Sequence, residues 1–142
     1  MNIKRMNNDA IVPTRADSGS AGYDLYVCCD EEVVIPPHTT KMLSTGWAME
    51  IPIGWAGFIY ARSGLASKKG LAPANCVGVV DPSYRGEVKI PLHNYGAEIQ
   101  MIHNGDRVAQ IIFQPYSVYR MDEVEELSGT DRGEGGFGHT GR

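Results

Sequence analysis

Five short stretches carry side chains that could handle a small polyanion. In ARSGLASKKG (61–70), Arg62, Ser63 and Gly64 open the one helix-like segment of the chain. Free N–H groups at a helix start attract anions, and a guanidinium grips phosphate oxygens with a planar fork. In NCVGVVDPSYRGEVKI (75–90), Asp81 and Tyr84 lie in a loop between two strand-like runs. There a carboxylate could take a proton from water beside an aromatic that could stack on a ring. GDRVAQIIF (105–113) sets Gln110 inside an apolar run. Strict alternation puts Ala109, Ile111 and Phe113 on one face and Val108, Gln110 and Ile112 on the other, so Gln110 points outward or bonds a ligand at the sheet's end. AGYDLY (21–26) places Asp24 between apolar neighbours, where it is solvated, paired or bound to a cation, directly or through water. GTDRGEGGFGHTG (129–141) holds six glycines in thirteen positions, with one arginine and one phenylalanine. Such a segment stays loose unless something holds it, and it could close over a ligand. Each stretch also has a plain structural reading: a capped helix, an Asp-Pro turn, a solvated strand residue, a frayed end.

The elements that must position these groups are short strands. Alternating runs recur at Tyr23–Val27, Trp47–Ile51, Glu87–Leu92, Ile99–Ile102 and Val108–Phe113, and MNIKRM starts a first strand. Turn signals such as Asp17-Ser18-Gly19-Ser20, Pro36-Pro37 and Asn104-Gly105 separate them, at a spacing that fits an all-β sandwich or barrel. The single helix is read with Ser63 as N-cap, lysines in its last turn and Gly70 at its exit. Pro91, inside a strand pattern, predicts an edge or a bulge.

A length of 142 residues fits one domain with a core of its own, so no staple is required. The net charge of −4, with no basic run, argues against a nucleic-acid partner, although a few arginines can still hold a small anion. No leader or long apolar run is seen, so no membrane is expected and the cytoplasm is the expected compartment. Cys28, Cys29 and Cys76 with four scattered histidines support neither a disulfide framework nor a zinc site.

Taken in order, the five stretches resemble the five motifs of the trimeric dUTPases, bacterial or phage members in particular. The resemblance runs from about Ala21 to the C-terminus. It implies a jelly-roll-like β barrel over residues 1–128, with residues 129–142 as a tail that closes the active site. It further implies a homotrimer with shared active sites, and hydrolysis of dUTP to dUMP and pyrophosphate with Mg²⁺. Asp81 matches the catalytic aspartate that activates water. Asp24 matches the aspartate that helps hold Mg²⁺ through water. Arg62, Ser63, Gly64 and Gln110 match phosphate contacts. Arg132 and Thr140 would reach the γ-phosphate, and Phe137 would stack over uracil. The hairpin of Asn75, Val79, Val80 and Lys89 resembles the uracil slot, acting mainly through backbone, with Tyr84 under the deoxyribose. Two other readings stand beside this one: a dCTP deaminase of the same fold, and a nucleotide-gated regulatory protein. Nothing functional is assigned to the first twenty residues.

Overall fold

Period-two segments have to pair, and sheets with one apolar face have to pack that face against another. In the computed structural model, which describes residues 1–136, they do so as ten strands and one helix. In chain order these are β1 (Asn2–Arg5), β2 (Tyr23–Tyr26), β3 (Val33–Ile35), β4 (Thr40–Glu50), β5 (Trp55–Tyr60), α1 (Ser63–Lys69), β6 (Leu71–Pro73), β7 (Gly78–Val80), β8 (Glu87–Asn94), β9 (Gln100–Ile102) and β10 (Arg107–Pro115). One antiparallel sheet runs β1-β4-β8-β6 and a second runs β2-β10-β5-β7, while β3 and β9 form a two-stranded ladder. The architecture is jelly-roll-like, with the ladders remaining as separate sheets rather than joining in one closed ring.

Leu25, Ile35, Leu43, Ile90, Leu92 and Ile111, all at 0–1% exposure, form the core between the sheets. Each such side chain contributes about 1.5–3 kcal/mol on leaving water. Thr45 and Asn94 are the buried polar residues among those described, and Asn94 is the more fully enclosed. Its amide nitrogen donates to the carbonyls of Ile35 (2.9 Å) and Glu98 (2.7 Å), and its side-chain oxygen accepts from the Gly96 N–H (2.9 Å). These bonds tie β3 and β8 to the turn before β9, and they leave no polar group of this buried side chain unpaired.

Three sequence expectations are corrected. The residue at the N-cap of α1 is Arg62, not Ser63, and no side chain among the described residues caps the helix. Arg62 has extended backbone (φ −87°, ψ 130°), and its guanidinium turns away to a carboxylate described below. Gly70 does end the helix, in the left-handed region at φ 64°. Secondly, β7 and β8 are not a hydrogen-bonded hairpin. β7 pairs with β5 and β8 with β4 and β6, so the 81–86 loop crosses from one sheet to the other. Thirdly, Pro91 lies in an internal strand. Its carbonyl accepts from the Ala74 N–H, so its ring nitrogen faces the same side, just past the end of β6, where no ladder bond is required.

Candidate active site

The chemistry-bearing side chains gather at two places. The first is a polar cavity of about 510 Å³ where the start of α1 meets β2 and β10. Asp24 and Gln110 are directly paired across β2 and β10, and Gln110 is paired with Tyr60 of β5. Paired residues share a face, so Asp24 and Gln110 look the same way, towards the residues that follow Tyr60. Arg62 Nε donates to Asp24 Oδ1 at 2.8 Å, and Arg107 Nη1 donates to Asp24 Oδ2 at 3.1 Å. Gln110 Nε2 donates to the Ala61 carbonyl at 3.0 Å. Gly22 makes room for it, because a Cβ there would lie 2.5 Å from Gln110 Oε1. Ser63 and Gly64 complete the rim beside Arg62.

Arg107 is the residue that sequence reasoning missed here. On strict alternation it would face away from Gln110. A β-bulge between Arg107 and Ala109 resets the phase, placing Arg107 opposite Tyr26 and Gln110 opposite Asp24, two positions on one face. The same bulge buries Val108 together with Ala109, against the expected grouping of Val108 with Gln110. No local residue pattern announces it. Ala16 and Ser20 also line this cavity, although the first twenty residues carried no sequence assignment. The Ser20 hydroxyl donates to the Asp17 carboxylate at 3.0 Å and holds that carboxyl below its ordinary range, aided by the Gly19 N–H.

The second place is a slot of about 440 Å³ between β7 and β8, bordered by Asn75, Val79, Val80, Asp81, Tyr84 and Lys89. The slot exists because β7 and β8 belong to different sheets and diverge. β7 is the outer strand of its sheet, so among the described residues one of its edges has no partner strand. On β8, the Pro91 carbonyl faces the β6 side. Backbone direction repeats every second residue, so the Lys89 N–H and C=O face that side as well, beyond the last β6 residue. Backbone donors and acceptors thus border the slot from both strands. Tyr84 donates from its hydroxyl to the Glu87 carbonyl at 2.9 Å and lies over Gly86, where a Cβ would come within 2.5 Å of the hydroxyl oxygen. Asp81 is exposed, and among the described residues its carboxylate makes no hydrogen bond or ion pair.

The cavity and the slot are far apart on one chain. From Asp24 to Asp81 the path crosses three strand spacings, β2-β10-β5-β7, and about four residues along the strands, which is roughly 20 Å at ladder spacings of about 4.8 and 3.4 Å. Arg132 is exposed, its Nε donates to the Gly135 carbonyl (2.6 Å), and it lines neither the cavity nor the slot. Phe137 and Thr140 lie outside the described residues.

A carboxylate free to act on water, a slot edged by backbone donors and acceptors, and a cavity with two arginines are the parts of a nucleotide hydrolase. The dUTPase family model matches residues 8–141, and the chain belongs to that family. It is similar to the deoxyuridine 5'-triphosphate nucleotidohydrolase of Syntrophotalea carbinolica, 43% identical over 139 residues covering 98% of this chain and 95% of the relative. It is equally similar to the Clostridioides difficile protein of that name, 43% identical over 141 residues, 99% and 97% of the two chains. Among solved structures, the Staphylococcus bacteriophage 80alpha dUTPase with dUPNHPP matches at a TM-score of 0.87 and 28% identity, covering 99% and 98%. A phage phi11 dUTPase whose structure concerns a structural Mg(II) ion matches at 0.78 and 26%, covering 89% and 97%.

Proposed function

We infer that the chain hydrolyses dUTP to dUMP and pyrophosphate in active sites shared between copies, as a homotrimer of cytoplasmic enzyme. One observation carries the shared site. Asp81 and the Arg62 cavity have to act on a single α-phosphorus, and about 20 Å of sheet separates them in one chain. A neighbouring copy that sets its slot against this cavity supplies what one chain lacks. The slot then takes uracil, whose O4 and N3–H pair with fixed backbone groups of β7 and β8. An amino group in place of O4 would leave donors facing each other, at about 1–3 kcal/mol per unpaired group. Tyr84, held against Gly86, packs under the deoxyribose and leaves no space for a 2′-hydroxyl. Asp81 orients and deprotonates the attacking water, and Arg62, Ser63, Gly64 and Gln110 receive the phosphates. Much of the acceleration comes from alignment and charge neutralisation, since a carboxylate is a weak base. Residues 1–128 form the body in this reading. Residues 129–142 form the tail that brings Arg132, Phe137 and Thr140 over the nucleotide.

The residues present fit Mg²⁺ as a guest carried mainly by substrate. No group of three or more His, Cys, Asp or Glu side chains that could cage a metal occurs among the described residues. Both Asp24 oxygens already accept from arginines, which leaves the carboxylate suited to an outer contact through water. Mg²⁺ keeps several waters and binds substrate phosphates, so a dedicated cage is not needed. When bound, it neutralises charge on the triphosphate.

Mixed assemblies test the shared site. Asp81→Asn and Arg62→Gln chains, each inactive alone, are co-expressed in equal amounts. About a quarter of the parental activity should return, because random assembly gives that share of sites both intact residues from different copies. Activity no higher than that of either variant alone would place both residues in one chain's site.

A further inference from the structure

We propose that Glu87 is a positioning residue for sugar selectivity: its carboxylate, pegged into a bulge of β4, fixes the carbonyl that holds the Tyr84 ring. The assignment rests on the reading that Tyr84 packs under the deoxyribose.

The peg has its socket in β4. Ser44 is paired with Lys89 and Ala48 with Glu87, so three residues of β4 stand opposite Val88 alone. A bulge of this kind leaves backbone groups without ladder partners. Side chains take them up. The Thr45 hydroxyl donates to the Val88 carbonyl at 2.7 Å, and Glu87 Oε1 accepts from the Gly46 N–H at 2.8 Å. On its other side, the Gly46 carbonyl accepts from the Met6 N–H at 2.8 Å. Gly46 has φ 72°, and a Cβ there would lie 2.5 Å from the Ala10 Cβ. The bulge therefore holds one shape, and Glu87 meets a fixed donor.

The carboxylate is confined as well. The side chain is 20% exposed, and Oε2 lies 3.5 Å from the Ser44 hydroxyl and from the Lys89 ammonium. Drawing a carboxylate out of water is costly, and a charge-assisted bond to an N–H offsets that cost.

The backbone of Glu87 bears on the slot. Glu87 opens β8 directly after the 81–86 loop, and its carbonyl accepts from the Tyr84 hydroxyl at 2.9 Å. Tyr84 is 46% exposed, so packing alone does not fix its ring, and among the described residues its hydroxyl has no other partner. A path of bonds runs from Gly46 through the side chain and the carbonyl of Glu87 to the ring. A ring excludes a 2′-hydroxyl only as firmly as it is held. Freed from Gly46, the first residue of β8 can shift with its carbonyl and the ring, and a ribose gains room.

The test is the ratio of kcat/KM for dUTP to that for UTP, with Tm measured on each variant. Glu87→Ala should lower the ratio about 10-fold, the scale of one hydrogen bond. Glu87→Gln should hold it within about twofold, because its amide oxygen still accepts from Gly46. Glu87→Asp keeps the charge but is one methylene short, so it should lose the ratio as Glu87→Ala does, and it serves where Glu87→Ala does not fold. Tyr84→Phe cuts the same path at its other end, so adding Glu87→Ala to it should lower the ratio no further. An unchanged ratio in Glu87→Ala and Glu87→Asp would overturn the assignment. So would equal losses for both nucleotides, a fall in Glu87→Gln as large as in Glu87→Ala, or full additivity with Tyr84→Phe. Tyr84→Ala separates the two levels of failure. If it lowers the ratio and the Glu87 variants do not, the role of Glu87 falls alone. If Tyr84→Ala leaves the ratio unchanged, the placing of deoxyribose over Tyr84 falls as well.

Discussion

Asp81→Asn is expected to bind dUTP about as tightly as the parent chain and to turn it over about 10²- to 10⁴-fold more slowly, the range for loss of a general base. The amide keeps the shape of the carboxylate but cannot take a proton from water. The fold should not notice. Asp81 is exposed at the end of β7, and its carboxylate bonds to no described residue. Its backbone carbonyl, which accepts from the Tyr84 N–H at 3.1 Å, is untouched by the change. Single-turnover rates, analogue affinity and Tm measured together check this. Unimpaired turnover would remove Asp81 from its role, and a fall in Tm would give it a structural one.

Truncation after Ser128 is expected to cost about 10²-fold or more in kcat/KM while leaving Tm unchanged, since several charge-assisted contacts and the closing of the site are lost together. The last strand ends at Pro115, and residues 116–136 contain neither helix nor strand. Within 129–136 the hydrogen bonds are local: Gly133 N–H to the Thr130 carbonyl and hydroxyl, Gly135 N–H to the Arg132 carbonyl, and Arg132 Nε to the Gly135 carbonyl. None of these reaches the body, so among the described residues the truncation removes no hydrogen bond from it. Activity assays and thermal melts of the truncated chain decide between a closing tail and a structural one. A large loss of Tm would point to the latter.

Much of the architecture was legible because period-two alternation and turn chemistry are local signals. Asp24, Gln110 and Arg62 were visible as polar residues in or beside apolar strands, and the structure brings them into one cavity. Asp81, Tyr84 and the Asn75–Lys89 segment likewise meet in one slot. What remained hidden depends on partners distant in sequence. The pairing of β7 with β5, and of β8 with β4 and β6, separates two strands that look like a hairpin, and only that separation opens the slot. The bulge that turns Arg107 is set by the register of β10 against β2. The helix start was misread by one residue because Ser63 has a capping side chain, whereas the extended backbone at Arg62 makes that residue the cap. The 16–20 loop reaches the cavity through the tertiary fold, which composition does not encode.

The most direct measurement is pyrophosphate release from dUTP, dTTP, dCTP and UTP, each with Mg²⁺ and with chelator. Release from dUTP alone, abolished by chelator, is the expected result, and it would establish reaction, base and sugar selectivity and metal dependence at once. No release from dUTP, or equal release from all four, would contradict the assignment of the slot and the cavity to one dUTP-hydrolysing site.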